Sequence, residues 1–547
     1  MVSTTTEHFR TYKPRAFTRD EREDVTILFG GLHWRAERLI QGAMGRLGYK
    51  TQILPPATKA DLLTGRAVAD IGQCCPTSFT TGNLANFLRD EAQKSSPEEV
   101  AKNFVYFTAG SCGSCRFGQY HKSYELALRN IGMESFRMFL MAQNGLDQGS
   151  VSGGGLEVDL PFTLGAIWSV IVGDVVQDLE YQTRPYELVP GETDRVARES
   201  VEYLFEEFRK APVPAGKLGA SLWYLSTAYF TKALRQVRRR FAEIQVDRLR
   251  VKPVVKITGE FYLQTVEGDP NYNIHRWLEA EGAEVYPAAI TVWLDYLLRL
   301  ACQDLEDHCG ISRYARLKLL GVAGAQRLLR RNYRRMGHAL GDVPHELPDQ
   351  EELRDLATPW FHSRLSGGEG DMLVGKAIWS YKRNKAHMVC ELSPYSCMPN
   401  TMSIGAMAGV LGRYPEILYA PLEIKGDAEV HALSRCQMVL TEARRRAQAE
   451  FDQVLDQTGL DIDGARERLA VIPEAARAAW PVPRCGATGT AANLVLHLAG
   501  TRLQSSTNNS QAPAPMPLEP AASVAVNFEH AISSICAPCV PASRPSS

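Results

Sequence analysis

A repeated order of elements constrains this chain most. Short apolar runs rich in β-branched and aromatic residues, closed by glycine or proline, alternate with stretches of helical spacing. DVTILFGG (24–31), YKTQILPP (49–56), NFVYFTAG (103–110) and ESFRMFLM (134–141) read as strands. Helices are predicted over 34–47 and 118–131, with a short one after Thr58, whose hydroxyl suits an N-cap. The pattern returns in VKPVVKITGEFY (251–262), AEVYPAAI (283–290), AHMVCELSP (386–394) and EILYAPLEI (416–424). Helices are predicted there near 274–281, 292–301, 313–337 and 371–382, and a long charged one over 428–455. Strands separated by helices of this length need crossover connections, and those make a parallel sheet. Between the two blocks the strand signal is lost, and ETDRVARESVEYLFEEFRK and SLWYLSTAYFTKALRQVRRRFAEI have apolar residues at helical spacing. The expected architecture is α/β, with two open parallel-sheet domains at 24–150 and 251–457 and a helical insertion at 151–250. From 458 to 547 a short helix is expected, then a low-complexity tail.

The ends and the charge narrow the function classes. Residues 1–22 are polar, without the apolar core of a secretory signal. The apolar stretch 162–172 is closed by Gly173 and Asp174 and reads as a buried helix, short of the about 20 residues a bilayer needs. From 481 onward proline, serine and alanine dominate, so little apolar burial can offset chain entropy, and disorder is expected. With 61 basic against 62 acidic residues the net charge is -1, which argues against a nucleic-acid binder working by bulk attraction to phosphate. No membrane association is expected, and the location is expected to be cytoplasmic, where cysteines stay reduced and, when clustered, bind metal or do chemistry.

Twelve cysteines are too few for a disulfide scaffold in 547 residues, so their placement carries the information. Three strand-to-helix turns hold six of them. Cys74 and Cys75 precede Pro76 and a helical stretch. Cys112 and Cys115 lie between a strand and a helix in TAGSCGSCRFGQY. Cys390 lies in a strand, and Cys397 in the turn before Pro399. Open α/β sheets bind ligands at the carboxyl ends of their strands. A helix N-terminus there favours the thiolate, which is the form that binds metal. Thiolate-bound iron–sulfur clusters are anionic and are stabilised by the same donors. Zinc is a competing occupant, although only Cys112/Cys115 has a short-pair zinc spacing, and a redox disulfide at that pair is a third reading. Cys302, Cys309, Cys436 and Cys485 have a core or surface role as their default, and the Cys536/Cys539 pair in the tail lacks the second half of a zinc site.

The segments ADIGQCCPTSFTTGNL, TAGSCGSCRFGQYH, GEFYLQTVEGDPNYNIHRWLEAEGAEVY and SPYSCMPNTMS resemble the 2-hydroxyacyl-CoA dehydratase superfamily. The similarity is closest to the cluster-carrying part of the large proteins in which that part is fused to an activator ATPase. It covers about 24–455, with CGSCRFGQY and CMPN its most specific pieces. The resemblance implies two flavodoxin-like domains with an iron–sulfur cluster between them, either a [4Fe–4S] or a double-cubane cluster. It also implies radical dehydration of a 2-hydroxyacyl-CoA with a low-potential electron from an ATP-hydrolysing activator. The matching ligand positions are Cys75, Cys112, Cys115 and Cys397, with Cys74 and Cys390 as nearby candidates. Related alternatives are a double-cubane reductase of small molecules, an electron-transfer or assembly component without catalysis, and a zinc-stabilised binding module. This chain shows no activator domain, and GGG (153–155) and SGGEGD (366–371) lack the spacing of a phosphate loop. A separate activator ATPase is therefore the expected partner, with an acyl-CoA or small-molecule substrate and a dimer as a candidate assembly.

The basic helical stretches LRQVRRRFAEIQVDRLRVK and RLLRRNYRRMGH suit solvated helix faces, or contacts with CoA phosphates or an acidic partner through arginine forks. His121, beside the C-x-x-C loop, is a candidate proton donor or a structural hydrogen-bonding group. Glu391, next to Cys390, is a candidate acid or base.

Overall fold

A computed structural model of the chain describes residues 15–506, apart from 71, 111–114, 143–144, 147–153 and 366–367. All eight predicted strands are present. The first sheet holds β1 (Thr26–Phe29), β2 (Lys50–Ile53), β3 (Phe104–Ala109) and β4 (Arg137–Ala142), and the two-residue β5 (Gly145–Leu146) adds an antiparallel edge. The second holds β6 (Val254–Gly259), β7 (Glu284–Tyr286), β8 (Met388–Pro394) and β9 (Leu418–Ile424). The strand orders are β2-β1-β3-β4-β5 and β7-β6-β8-β9, and apart from β5 every pairing is parallel. Both sheets therefore repeat one winding, in which the chain crosses over from strand one to strand three. The switch points lie between β1 and β3 and between β6 and β8, where such sheets bind ligands.

Burial explains the strand sequences. Successive side chains of a strand point to opposite faces. Ile27, Phe29, Val105 and Phe139 join one core cluster, while Leu28, Tyr106 and Met138 join another on the opposite face. In the second sheet Val255, Ile257, Cys390, Leu392, Ala420 and Leu422 pack under the long helix Glu429–Thr458, through its Cys436, Leu440 and Ala443. Sheets covered on both faces need the near-continuous apolar runs seen in the sequence.

Three expectations are corrected. Residues 69–74 join two helices, Lys59–Val68 and Cys75–Lys94, so the Cys74/Cys75 turn does not follow a strand. Next, the apolar helix does not stop at Gly173. It runs Leu160–Thr183, and Leu160–Tyr186 is long and apolar enough by length and composition to cross a membrane, yet 72% of its apolar window is buried inside the protein. Asp174 continues the helix because its carboxylate is fully satisfied. It accepts the N–H groups of Ile290 (3.0 Å) and Thr291 (2.7 Å) at the start of the next helix, Ile290–Asp307, and its Oδ1 lies 3.1 Å from His33 Nε2. The helical region is thus more than an insertion. It shares a core with Leu39 and Ala43 of the first lobe and Tyr333 and Met336 of the second.

The third correction concerns the tail, because the packed chain continues past 481. The helix Thr490–Ser506 buries Ala491, Leu494, Val495 and Leu498 against Phe451 and Val454. Its entry is fixed by Glu450, which accepts the Thr488 and Gly489 N–H groups at 2.8 Å each. Residues 507–547, with Cys536 and Cys539, lie outside the described residues.

The helix that carries Cys74 and Cys75 at its start is placed by close approach. It crosses Lys59–Val68 at Gly65 and Gly82, where an added Cβ would overlap the carbonyl groups of Ser78 and Asp61 respectively. Gly82→Ala is expected to cost about 2–3 kcal/mol through enforced separation of the two helices. Urea unfolding followed by tryptophan fluorescence measures this, and a change below half a kcal/mol would refute the close-packing account.

Candidate functional site

Three thiols open helices that meet between the two sheets. Cys74 is the N-cap of Cys75–Lys94, Cys115 of the 3-10 turn Arg116–Gln119, and Cys397 of Met398–Arg413. Two carboxyls join them in equivalent places. Glu260 follows β6 and is the N-cap of Phe261–Thr265, accepting the Leu263 N–H at 2.9 Å. Glu369 is the N-cap of Gly370–Lys382 and accepts the Phe261 N–H at 3.2 Å. Gly259 permits this turn, because its φ of 127° lets β6 end against the backbone of Leu392 in β8, where a side chain has no room. The two lobes touch at this level. Cys75 N–H donates to Tyr395 C=O at 3.4 Å, and Gly31, at the end of β1, lies against the Tyr262 ring. Arg116 adds a bond to the Gly72 carbonyl, which ties the Cys115 turn to the Cys74 turn.

Electrostatics shows which groups share this space. Burial pushes the Cys74 thiol up, and Glu260 adds to the rise. Burial pushes Cys115 up to about 12, with Glu369, Glu260 and Cys74 contributing. Cys397 is raised further by burial, Glu260, Glu369 and Cys74. Glu260 itself is lifted by burial to about 7. The site thus presents protonated thiols that must release protons before they can bind metal. Their hydrogen bonds hold them in place: Cys74 Sγ lies 2.9 Å from Tyr120 Oη and 3.4 Å from Thr77 Oγ1, and the Cys397 thiol donates to Asn400 Oδ1 at 3.2 Å.

The other residues named from sequence fall in different places. Cys75 packs among Leu62, Phe79 and Tyr272; burial raises it to about 12, and Cys74 and Glu260 add to the rise. Cys390 is fully buried in β8 and hydrogen-bonded to the buried Cys436, away from the three convergent thiols. Cys112 lies outside the described residues. His121 is half-buried in the first turn of Tyr120–Asn130. Glu391 is fully buried and accepts from Asn400 Nδ2 (3.0 Å), Ser403 Oγ (2.8 Å) and Tyr419 Oη (2.7 Å). It therefore acts on Cys397 through Asn400, as a positioning residue. Cys302 is buried in the helix Ile290–Asp307, Cys309 is half-buried and Cys485 is exposed.

Sequence reasoning missed Glu260, Glu369, Tyr120 and Asn400, and also Lys376. Lys376 is buried, held down to about 8 by burial, and sits within the fields of Glu369 and Glu391. Position relative to β6 could have flagged Glu260, since it is the first residue past a strand end; the others become neighbours only in the fold.

Among the described residues no three His, Cys, Asp or Glu side chains form a group that could hold a single metal ion. A cubane cluster asks for something different, thiolates standing around a body larger than one ion. Cys74, Cys115 and Cys397 on three separate helix starts suit that donor set, and the helix dipoles favour its negative charge. The chain matches no protein-family model, and no curated protein matches it.

Proposed function

We propose that this chain is an iron–sulfur protein of the 2-hydroxyacyl-CoA dehydratase type. The observation that carries the reading is the convergence of Cys74, Cys115 and Cys397, each the N-cap of a helix, between the switch points of two equivalent parallel sheets. These three thiols would hold the cluster, with Cys75 and Cys112 as the further ligands that the resemblance supplies. When bound, the cluster provides one-electron chemistry at low potential, drawing on a separate ATP-hydrolysing activator. The chain's own residues bind and exclude. Tyr120 and Asn400 fix two of the thiols, Glu391 fixes Asn400, and Glu369, itself buried, holds the Phe261 N–H at the turn after β6. A reducing, cytoplasmic setting goes with free thiols in this arrangement.

Anaerobic purification and reconstitution test the proposal. The expected product is a brown protein with broad visible absorption. With ATP, added activator ATPase and a reductant, the chain should then convert a 2-hydroxyacyl-CoA to the enoyl-CoA with loss of water. Iron near four or near eight per chain divides a single cubane from a double cubane. A cluster that supports reduction of small molecules without dehydration would move the assignment to a double-cubane reductase. A colourless protein with one zinc would overturn it.

A further inference from the structure

A second site is built where the helix Gly370–Lys382 ends, roughly 20 Å along its axis from the thiols. There Trp379, Arg383 and Lys385 join Tyr333, Arg334 and His345 around an open cavity of ≈ 710 Å³. That size suits an organic ligand. His345, 9% exposed, stacks on Tyr286 with ring centroids 3.8 Å apart. Its Nδ1 donates to Asp178 Oδ1 at 2.8 Å, which leaves Nε2 as an acceptor for Arg484 Nη2 at 3.1 Å.

The charge balance around the cavity is uneven. Three of its carboxylates are already occupied: Asp349 by Arg330 at 2.8 Å, Glu352 by Arg383 at 2.7 Å, and Asp342 by His338. Among the described residues no carboxylate pairs with Lys385, Arg484 or Arg334. Glu346, exposed at the rim, is the remaining acid and acts on Lys385 only through its field. The Lys385 ammonium is pulled below its usual range by burial and then by Arg484. Like charges gathered in a partly desolvated cavity are relieved by an anionic ligand, and a phosphoryl group offers several acceptors to Lys and Arg together.

We infer that this cavity binds a phosphate ester of nucleotide size, its phosphoryl oxygens held by Lys385 and Arg334 of the lining, with Arg484 adding positive charge from behind His345. The site is independent of the cysteine centre and of the function proposed for it. Calorimetric titration of the full chain with ADP, inorganic pyrophosphate and adenosine tests it. ADP and pyrophosphate are expected to bind once per chain, and adenosine at least tenfold more weakly than ADP. Lys385→Gln and Arg334→Gln alter side chains outside the core and are each expected to weaken ADP at least tenfold, with an unchanged circular dichroism spectrum. Cys397→Ala is expected to leave ADP binding intact. The assignment fails if neither ADP nor pyrophosphate binds at millimolar concentration. It fails equally if adenosine binds as well as ADP, or if both folded variants keep wild-type affinity.

Discussion

Cys397→Ala and Cys115→Ala are each expected to strip most of the iron from the anaerobically reconstituted chain, while Cys436→Ala retains it. The contrast rests on placement rather than on residue type. Cys115 and Cys397 are N-caps, one in each lobe, and lie in the same field as Glu260 and Glu369. Cys436 is more deeply buried than either, but its partner is Cys390 in the core beneath the second sheet. Loss of one ligand thiolate from a cluster removes a metal bond and leaves a coordination position that no neighbouring thiol in the core can reach. The tandem pair gives a finer test. Cys74 acts on both Cys115 and Cys397, whereas Cys75 is packed among Leu62, Phe79 and Tyr272, so Cys74→Ala should cost more iron than Cys75→Ala. Iron and acid-labile sulfide assays on the five variants measure this. Full iron in both the Cys115 and Cys397 variants would remove the ligand set and the function built on it.

The lobes were legible in the sequence because strand runs there are closed by glycine or proline and buried on both faces. Each of the runs from DVTILFGG to EILYAPLEI coincides with a strand to within a few residues at its ends, and β4 runs one residue past its run, to Ala142. Two helices were hidden for physical reasons. Asp174 reads as a stop only while its partners, the Ile290 and Thr291 N–H groups, are unknown. The Thr490–Ser506 helix stands in a proline- and serine-rich neighbourhood, and what makes it fold is burial against Phe451 and Val454. The cysteines could be placed at helix starts because proline follows Cys75 and Cys397 closely. Which thiols face one another could not be read. Cys390 and Cys397 are seven residues apart, yet Cys390 packs in the core under the second sheet while Cys397 caps a helix, and Cys74, Cys115 and Cys397 share one field only once the two sheets dock. Glu260 and Glu369 are isolated carboxyls in the sequence, and the turn after β6 makes them neighbours through the Phe261 N–H.

Arg35→Met is expected to lower the stability of the chain by about 3 kcal/mol at neutral pH, and this cost should shrink as the pH falls. Arg35 is fully buried on the first-lobe helix Trp34–Arg46. It forks onto Glu180 of the central helix, with both bonds 2.6 Å, and reaches Glu267 of the second lobe at 2.7 Å. Arg184, which also pairs with Glu180, stays in the variant and keeps the loss near the lower end for a broken buried pair. Burial alone would raise the Glu267 carboxyl, but Arg35 outweighs it and holds the group down to about 2. A carboxylate depressed in the folded state stabilises the fold above its ordinary value of 4.5, and that stabilisation is lost as the pH falls from there toward 2. Without Arg35 the balance reverses, since burial then favours the protonated acid and acidification relieves the variant. The two stability curves should therefore converge between pH 7 and pH 3. Urea unfolding across that range measures the gap, and a gap that stays constant would show that Arg35 acts through packing rather than through the carboxylates it joins across the lobes.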